Sequence, residues 1–141
     1  MKTLSYTFLL SFSSVVSAHT WHYSPENESA NYNVDGSRMA SVSIVEEAPM
    51  IQLLNMSGMD GCGFDNNPPS SMVDAVVNGN QTQIFTFCQS YQRVYVIATK
   101  EEQQWVIGNL WRGHPVTIST NGNIFNIGVN NFQSAVSNMS F

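Results

Sequence analysis

Apolar and polar residues alternate along much of the chain, a pattern typical of half-buried β-strands. The predicted strands cover residues 39–45, 50–54, 72–77, 82–88, 93–98, 116–118 and 124–129. The dipeptides Asn78-Gly79 and Asn121-Gly122 each supply two residues that tolerate positive φ, as a tight hairpin turn requires. Both faces of the segment 82–88 carry bulky side chains, so we expect this strand to be central in its sheet.

The apolar spacing changes to that of a helix after Thr99. Thr99 and Glu102 have the spacing of a capping box, and an apolar stripe continues at helical spacing until Gly113. The stripe consists of Trp105, Val106, Ile107, Leu110 and Trp111. We therefore predict a helix over about residues 100–112 and a turn or second short helix over residues 131–139. Together these elements predict a mainly β fold, a small antiparallel β-sandwich or barrel-like domain with one or two short helices.

In three stretches the apolar residues follow neither the spacing of a strand nor that of a helix. Residues 19–37 are polar and contain Pro25, so we interpret them as an N-terminal arm that leads into the first strand. Residues 46–49 are interpreted as a turn. Residues 55–71 contain three glycines and two prolines, which predicts a long loop.

The first eighteen residues have the organisation of a signal peptide. Lys2 gives a positive start, residues 4–16 are mostly apolar, and Val16 and Ala18 occupy the two positions that signal peptidase reads. The apolar stretch is too short to cross a bilayer. We therefore predict a signal peptide over residues 1–18 and an exported protein, periplasmic or secreted, with a single domain over residues 19–141.

Composition and charge narrow the classes of partner. Lys and Arg number 5 against 10 Asp and Glu, and 43% of the residues are hydrophobic against 11% charged, the reverse of a disordered chain. A chain with only a few cations can release only a few counterions from a nucleic-acid backbone. We therefore expect no nucleic-acid partner. No segment reaches the roughly 20 apolar residues of a membrane span, so we expect no membrane span in this chain.

Export also bears on the cysteines. Cys62 and Cys88 are the two cysteines of the chain, and their spacing fits neither a zinc site nor a CxxC redox motif. In an oxidising compartment they are predicted to form a structural disulfide, with two separate free thiols as the alternative.

Familiar catalytic motifs are absent from the sequence. It contains no Gly-x-Ser-x-Gly elbow, no phosphate-binding loop and no His-Glu-x-x-His. We therefore predict a small non-enzymatic binding or accessory protein of the cell envelope, involved in host or partner interaction. Aromatic side chains dominate interface energetics, which makes Trp21, Tyr23 and Tyr32 in the arm candidate partner-binding residues, with packing on the sheet as the alternative.

Copper binding is the alternative function. After the predicted cleavage, the α-amino group and imidazole of His19 could chelate Cu(II) together. His22 and His114 could add nitrogen ligands, and Met56 and Met59 offer thioethers of the kind that Cu(I) prefers. Without copper, we expect no cofactor. The lytic polysaccharide monooxygenases also begin with a metal-binding histidine, but this chain is short for that class.

Two resemblances accompany these predictions. The N-terminal histidine, the Met-containing loop over residues 55–60 and the late segment 113–116 resemble small periplasmic copper-carrier proteins, which implies bound copper. A second set of segments spans the C-terminal half, namely 77–79, the strand ending in Cys88, 98–100, 110–113, 116–118, 125–127 and 132–135. Their order resembles the exported invasion-associated locus B family. That resemblance implies a small exported β-sandwich without known catalysis, sometimes linked to host interaction.

Overall fold

The computed structural model describes residues 19–57, Cys62 and residues 69–139. The strands are β1 (His22–Ser24), β2 (Ser29–Asn33), β3 (Arg38–Val45), β4 (Ala48–Asn55), β5 (Ser71–Val77), β6 (Asn80–Gln89), β7 (Gln92–Ile97), β8 (Val116–Thr120) and β9 (Asn123–Ile127). Two helices, α1 (Lys100–Trp111) and α2 (Phe132–Ser137), follow β7 and β9. The predicted mainly β fold with two short helices is confirmed. The predicted signal peptide lies outside the described residues.

All nine strands belong to one antiparallel sheet with the order β1-β2-β3-β4-β7-β6-β5-β8-β9. The strand β6 pairs with β5 and β7, so its predicted central position is confirmed. Along β8 and β9 the inward residues are buried and most of the residues between them are exposed, as the alternation predicts. The largest fully buried side chains of the core are Trp21, Tyr95, Phe125, Phe132, Ile51 and Leu53.

The sheet curls so that strand β9 approaches strands β3 and β4. The side-chain oxygen of Asn123, at the start of β9, accepts hydrogen bonds from Arg38 in β3 (3.0 Å) and Asn55 in β4 (2.8 Å). At the other end, the indole N–H of Trp21 donates to the carbonyl of Gly128 at 2.8 Å. Side chains and loops therefore give the sheet its barrel-like curvature.

The segment interpreted as an N-terminal arm belongs to the sheet. Strand β1 pairs with β2, and β2 pairs with β3 along its whole length. Ala30 and Tyr32 point into the core, whereas Asn31 and Asn33 on the opposite face are more exposed. The high asparagine content hides this alternation in the sequence, so the interpretation as an arm is wrong.

The turns follow the residues that tolerate positive φ. Asn78 (φ 46°) and Gly79 (φ 86°) form the predicted turn between β5 and β6, and Asn121 and Gly122 form the equivalent turn between β8 and β9. The turn predicted over residues 46–49 is shorter than expected. It consists of Glu46 (φ 52°) and Glu47 (φ 69°), because the next two residues already pair with β3.

Helix α1 begins and ends where the sequence predicts. The backbone N–H of Glu102 donates to the Thr99 hydroxyl at 3.2 Å, and Gly113 adopts φ 86° after the helix. The buried face differs from the predicted stripe. It combines two polar and two apolar residues, Gln103, Asn109, Val106 and Leu110. Trp105 and Trp111 are each 43% exposed and lie on the two flanks of the helix.

The predicted disulfide is confirmed. Cys62 and Cys88 are bonded, with a Cα–Cα distance of 5.6 Å, and this bond fastens Cys62 to strand β6. The loop predicted over residues 55–71 lies partly outside the described residues. Within the described ranges, no helix is both long and apolar enough to cross a membrane.

Candidate binding cleft beside helix α1

Helix α1 joins the sheet at the point where β4 and β7 stop pairing. The β4–β7 ladder ends with Gln52 opposite Val96. At the next position the side-chain amide of Gln103 accepts a hydrogen bond from the Ile51 N–H (2.8 Å) and donates to the carbonyls of Ile51 and Ile97 (both 3.1 Å). Gln103 is 3% exposed, so its amide takes the place of strand–strand hydrogen bonds in the interior.

A cleft opens beside this junction, between α1 and the hairpin of β3 and β4. Its volume is about 670 Å³, within the range of small-molecule binding sites. Its apolar walls come from the hairpin, the end of β7, α1 and α2, and include Pro49, Met50, Ile97, Ile107, Trp111 and Val136. Because the hairpin and two helices contribute, the shape of the cleft depends on the tertiary fold.

Three charged residues line the cleft. Lys100 and Arg112 stand at the two ends of α1, and Glu46 lies in the hairpin turn. The Arg112 side chain runs back along α1 and places its guanidinium against the backbone at Gly108, one turn earlier in the helix. A Cβ atom at Gly108 would lie 3.3 Å from Nη1 of Arg112. The Arg112 head group therefore lies at the cleft, beside Gly108.

The opposite flank of α1 has a much smaller opening. It measures about 140 Å³ and is lined by Trp105 and by residues of the β5–β6 hairpin. There the Thr82 hydroxyl donates a short hydrogen bond to the Glu102 carboxylate, which fastens the helix to β6. This flank is therefore a narrow seam with much less space than the cleft.

The aromatic residues proposed from the sequence as a partner surface are not free. Trp21 is fully buried and Tyr32 is 5% exposed, and their ring centroids are 5.4 Å apart. The Trp21 ring also meets Phe132 edge-on at 4.9 Å. Tyr23 packs partly buried against the same core. For Trp21 and Tyr32 the alternative, packing on the sheet, is therefore confirmed, whereas a partner-binding role of Tyr23 stays a prediction.

The proposed copper ligands are not assembled into one cluster. No group of three or more His, Cys, Asp or Glu side chains suited to a metal occurs in the described ranges, which include all three histidines. His22 lies in edge strand β1, whereas His114 follows α1 and its backbone N–H donates to the Asn109 carbonyl. Met56 follows β4. Met59 and the predicted cleavage ahead of His19 fall outside the described residues, so the two-nitrogen chelate stays a prediction.

A second group of polar side chains lies at the other end of the curled sheet. Asn123 donates to the Tyr95 hydroxyl at 3.1 Å in addition to accepting from Arg38 and Asn55. Asp35 forms an ion pair with Arg38 at 2.8 Å. Burial acts to raise the pKa of Asp35, but hydrogen bonds from the Ser37 and Arg38 N–H groups and the Arg38 charge outweigh it and lower the pKa. These contacts hold the curl together.

Sequence reasoning missed the residues that shape the cleft. Gln103 interrupts an apolar helical face, and Gly108 stands inside a helix, where glycine is unfavourable. Both irregularities are visible in the sequence. No motif marks Arg112, because its role depends on the hairpin that faces it.

Comparison of this chain with protein-family models, with curated proteins and with solved structures gives no significant match. The resemblances to the locus B family and to copper carriers therefore stay predictions. The function has to be argued from the geometry of the cleft.

Proposed function

We propose that the protein is an exported, non-enzymatic binding protein that holds an apolar ligand in the cleft beside α1. The observation that carries this proposal is the open cleft of about 670 Å³ with apolar walls and the half-exposed Trp111. Export is supported by the Cys62–Cys88 disulfide, since such bonds persist in oxidising compartments.

The residues that line the cleft favour binding over turnover. Among the described residues the lining contains no serine, cysteine, histidine or aspartate. Its one hydroxyl, that of Thr99, accepts the helix-capping hydrogen bond from Glu102. A nucleophile and its base have to lie within hydrogen-bond reach of each other, and the one such pair that the described residues place at this lining, Thr99 and Glu102 at 3.1 Å, forms the capping box of α1.

The apolar walls set the expected strength of binding. Each buried methylene group of a ligand contributes about 0.8 kcal/mol. Lost translational and rotational freedom offsets several kcal/mol of that gain. An aliphatic chain of about ten to twelve carbons is therefore expected to bind with a Kd in about the submillimolar range.

The test is a titration of the full mature chain with 1-dodecanol, an uncharged probe, followed by calorimetry. Trp111→Ala is expected to weaken binding about tenfold, because it removes a large apolar wall. Trp105→Ala is the matched control, because Trp105 has the same 43% exposure but lines the opposite flank. Absence of saturable binding to the unmodified protein, or equal losses in the two variants, would contradict the proposal.

A further inference from the structure

We infer that the ligand of this cleft is an aliphatic carboxylate whose head group is bound by Arg112. The inference rests on the proposed function and adds the chemical class of the ligand. It is carried by where the cations of this acidic chain lie and by how Arg112 is positioned.

The exposed cations are concentrated at the cleft. The chain has 5 Lys and Arg and a formal net charge of −5. Of the four cations in the described ranges, Arg38 is paired with Asp35 and Arg93 is buried. The other two, Lys100 and Arg112, both line the cleft, and neither takes part in the one ion pair found among the described residues. An acidic protein that directs both of them to one apolar cleft offers charge complementarity to an anion.

Arg112 is the better placed of the two for a carboxylate. Gly108 leaves room for the guanidinium to lie against the helix, 3.3 Å from where a Cβ would stand. Glycine is among the poorest helix formers, so helix stability does not explain its presence inside α1, whereas the close approach of Arg112 does. A guanidinium presents a planar pair of donors that matches the two oxygens of a carboxylate.

Lys100 and Glu46 modify the same site. Along α1, Lys100 lies about 18 Å from Arg112 by helical rise, so a ligand held at Arg112 extends its chain toward Lys100. Lys100 adds positive potential at the far end. Glu46 is the one carboxylate on the described lining and opposes an anion. Lys100→Gln is therefore expected to weaken carboxylate binding about twofold, and Glu46→Gln to strengthen it by a similar factor.

The experiment compares three probes that share one chain length: dodecanoate and dodecylammonium, kept below their micelle concentrations, and 1-dodecanol, kept below its solubility limit. We expect dodecanoate to bind about tenfold more tightly than dodecanol, and dodecylammonium more weakly than either. Arg112→Gln should remove the preference for dodecanoate over dodecanol, measured as the ratio of the two Kd values. Gly108→Ala, which displaces the guanidinium without removing it, should reduce the preference about threefold.

The outcomes separate the two proposals. If none of the three probes binds, the proposed function fails. If dodecanol binds as tightly as dodecanoate, or Arg112→Gln keeps the preference, the assignment of a carboxylate ligand is overturned while the apolar cleft stands. Added salt gives an independent readout, because it should weaken dodecanoate and leave dodecanol unaffected.

Discussion

The two flanks of helix α1 carry similar residues but differ in the size of the opening beside them. Each carries one tryptophan with 43% exposure and one polar residue that reaches the sheet. Toward β4 the polar residue is Gln103, and the flank opens into about 670 Å³. Toward β6 it is Glu102, and the opening is about 140 Å³.

The difference follows from how far the strands pair. Strands β6 and β7 stay paired as far as Ile84 and Ile97, and Thr82, which bonds to Glu102, pairs with Ala75 of β5 on the other side of β6. Strands β4 and β7 separate before Ile51 would face Ile97, and the Gln103 amide lies between them. The narrow opening lies where the Thr82–Glu102 hydrogen bond joins the helix to β6, whereas the wide cleft lies beside the point where β4 and β7 part.

Removal of the Gln103 amide is expected to have the largest effect on the difference between the two flanks. Gln103→Met keeps the side-chain volume but leaves the Ile51 N–H and the carbonyls of Ile51 and Ile97 without these hydrogen bonds. We expect the free energy of unfolding to fall by about 3 kcal/mol, measured by urea denaturation. Gln104→Met is the control, since this neighbouring side chain is exposed, and it should change stability by less than about 0.5 kcal/mol. Similar losses in the two variants would show that the amide does not join the strands.

The seam on the other flank should be weaker. Thr82→Val removes the hydroxyl that bonds to Glu102 and is expected to lower the free energy of unfolding by about 1 kcal/mol. Dodecanol binding should not change, because Thr82 lies away from the cleft. Thr82→Ser should restore most of the stability. A loss of ligand affinity in Thr82→Val would mean that the two flanks are not independent.

Gly108→Ala should stabilise the protein on the open flank. The backbone there is helical and the nearest atoms belong to the flexible end of Arg112, so the variant is expected to gain about 0.5 to 1 kcal/mol. Gly113→Ala is the contrasting variant, because φ is 86° at that position, and it should lose about 1 kcal/mol. Thermal unfolding should show a gain in stability for Gly108→Ala and a loss for Gly113→Ala. A loss in Gly108→Ala would mean that Arg112 cannot move aside.

The smallest effect is a difference between the two exposed tryptophans. Trp105→Phe and Trp111→Phe each leave one of them, and iodide should quench both variants to a similar extent because both indoles are 43% exposed. Saturating dodecanol should lower the quenching constant about twofold only where Trp111 remains, since cleft ligands bury most of the surface they contact. Protection of Trp105 would place the ligand on the wrong flank.

The local features of the fold and the disulfide could be predicted, whereas the other long-range contacts could not. Asn78-Gly79 and the Thr99 cap act over a few residues, so turn chemistry and periodicity were enough to find them. The sequence leaves open whether Trp21 packs on the sheet or contacts a partner, because its hydrogen-bond partner Gly128 lies 107 positions away. The cleft depends in the same way on where β4 and β7 part, a register that no local pattern encodes.

The position of Gln103 also bears on whether the diverging ends of β4 and β7 can pair with a strand of another molecule. An unpaired strand end presents free N–H and C=O groups that can template the addition of a strand from another molecule. At Ile51 those groups are already occupied by a side chain of the same molecule, and only a strand that displaced the amide could pair there. A single buried glutamine thus shields the divergent part of the sheet from intermolecular β-pairing.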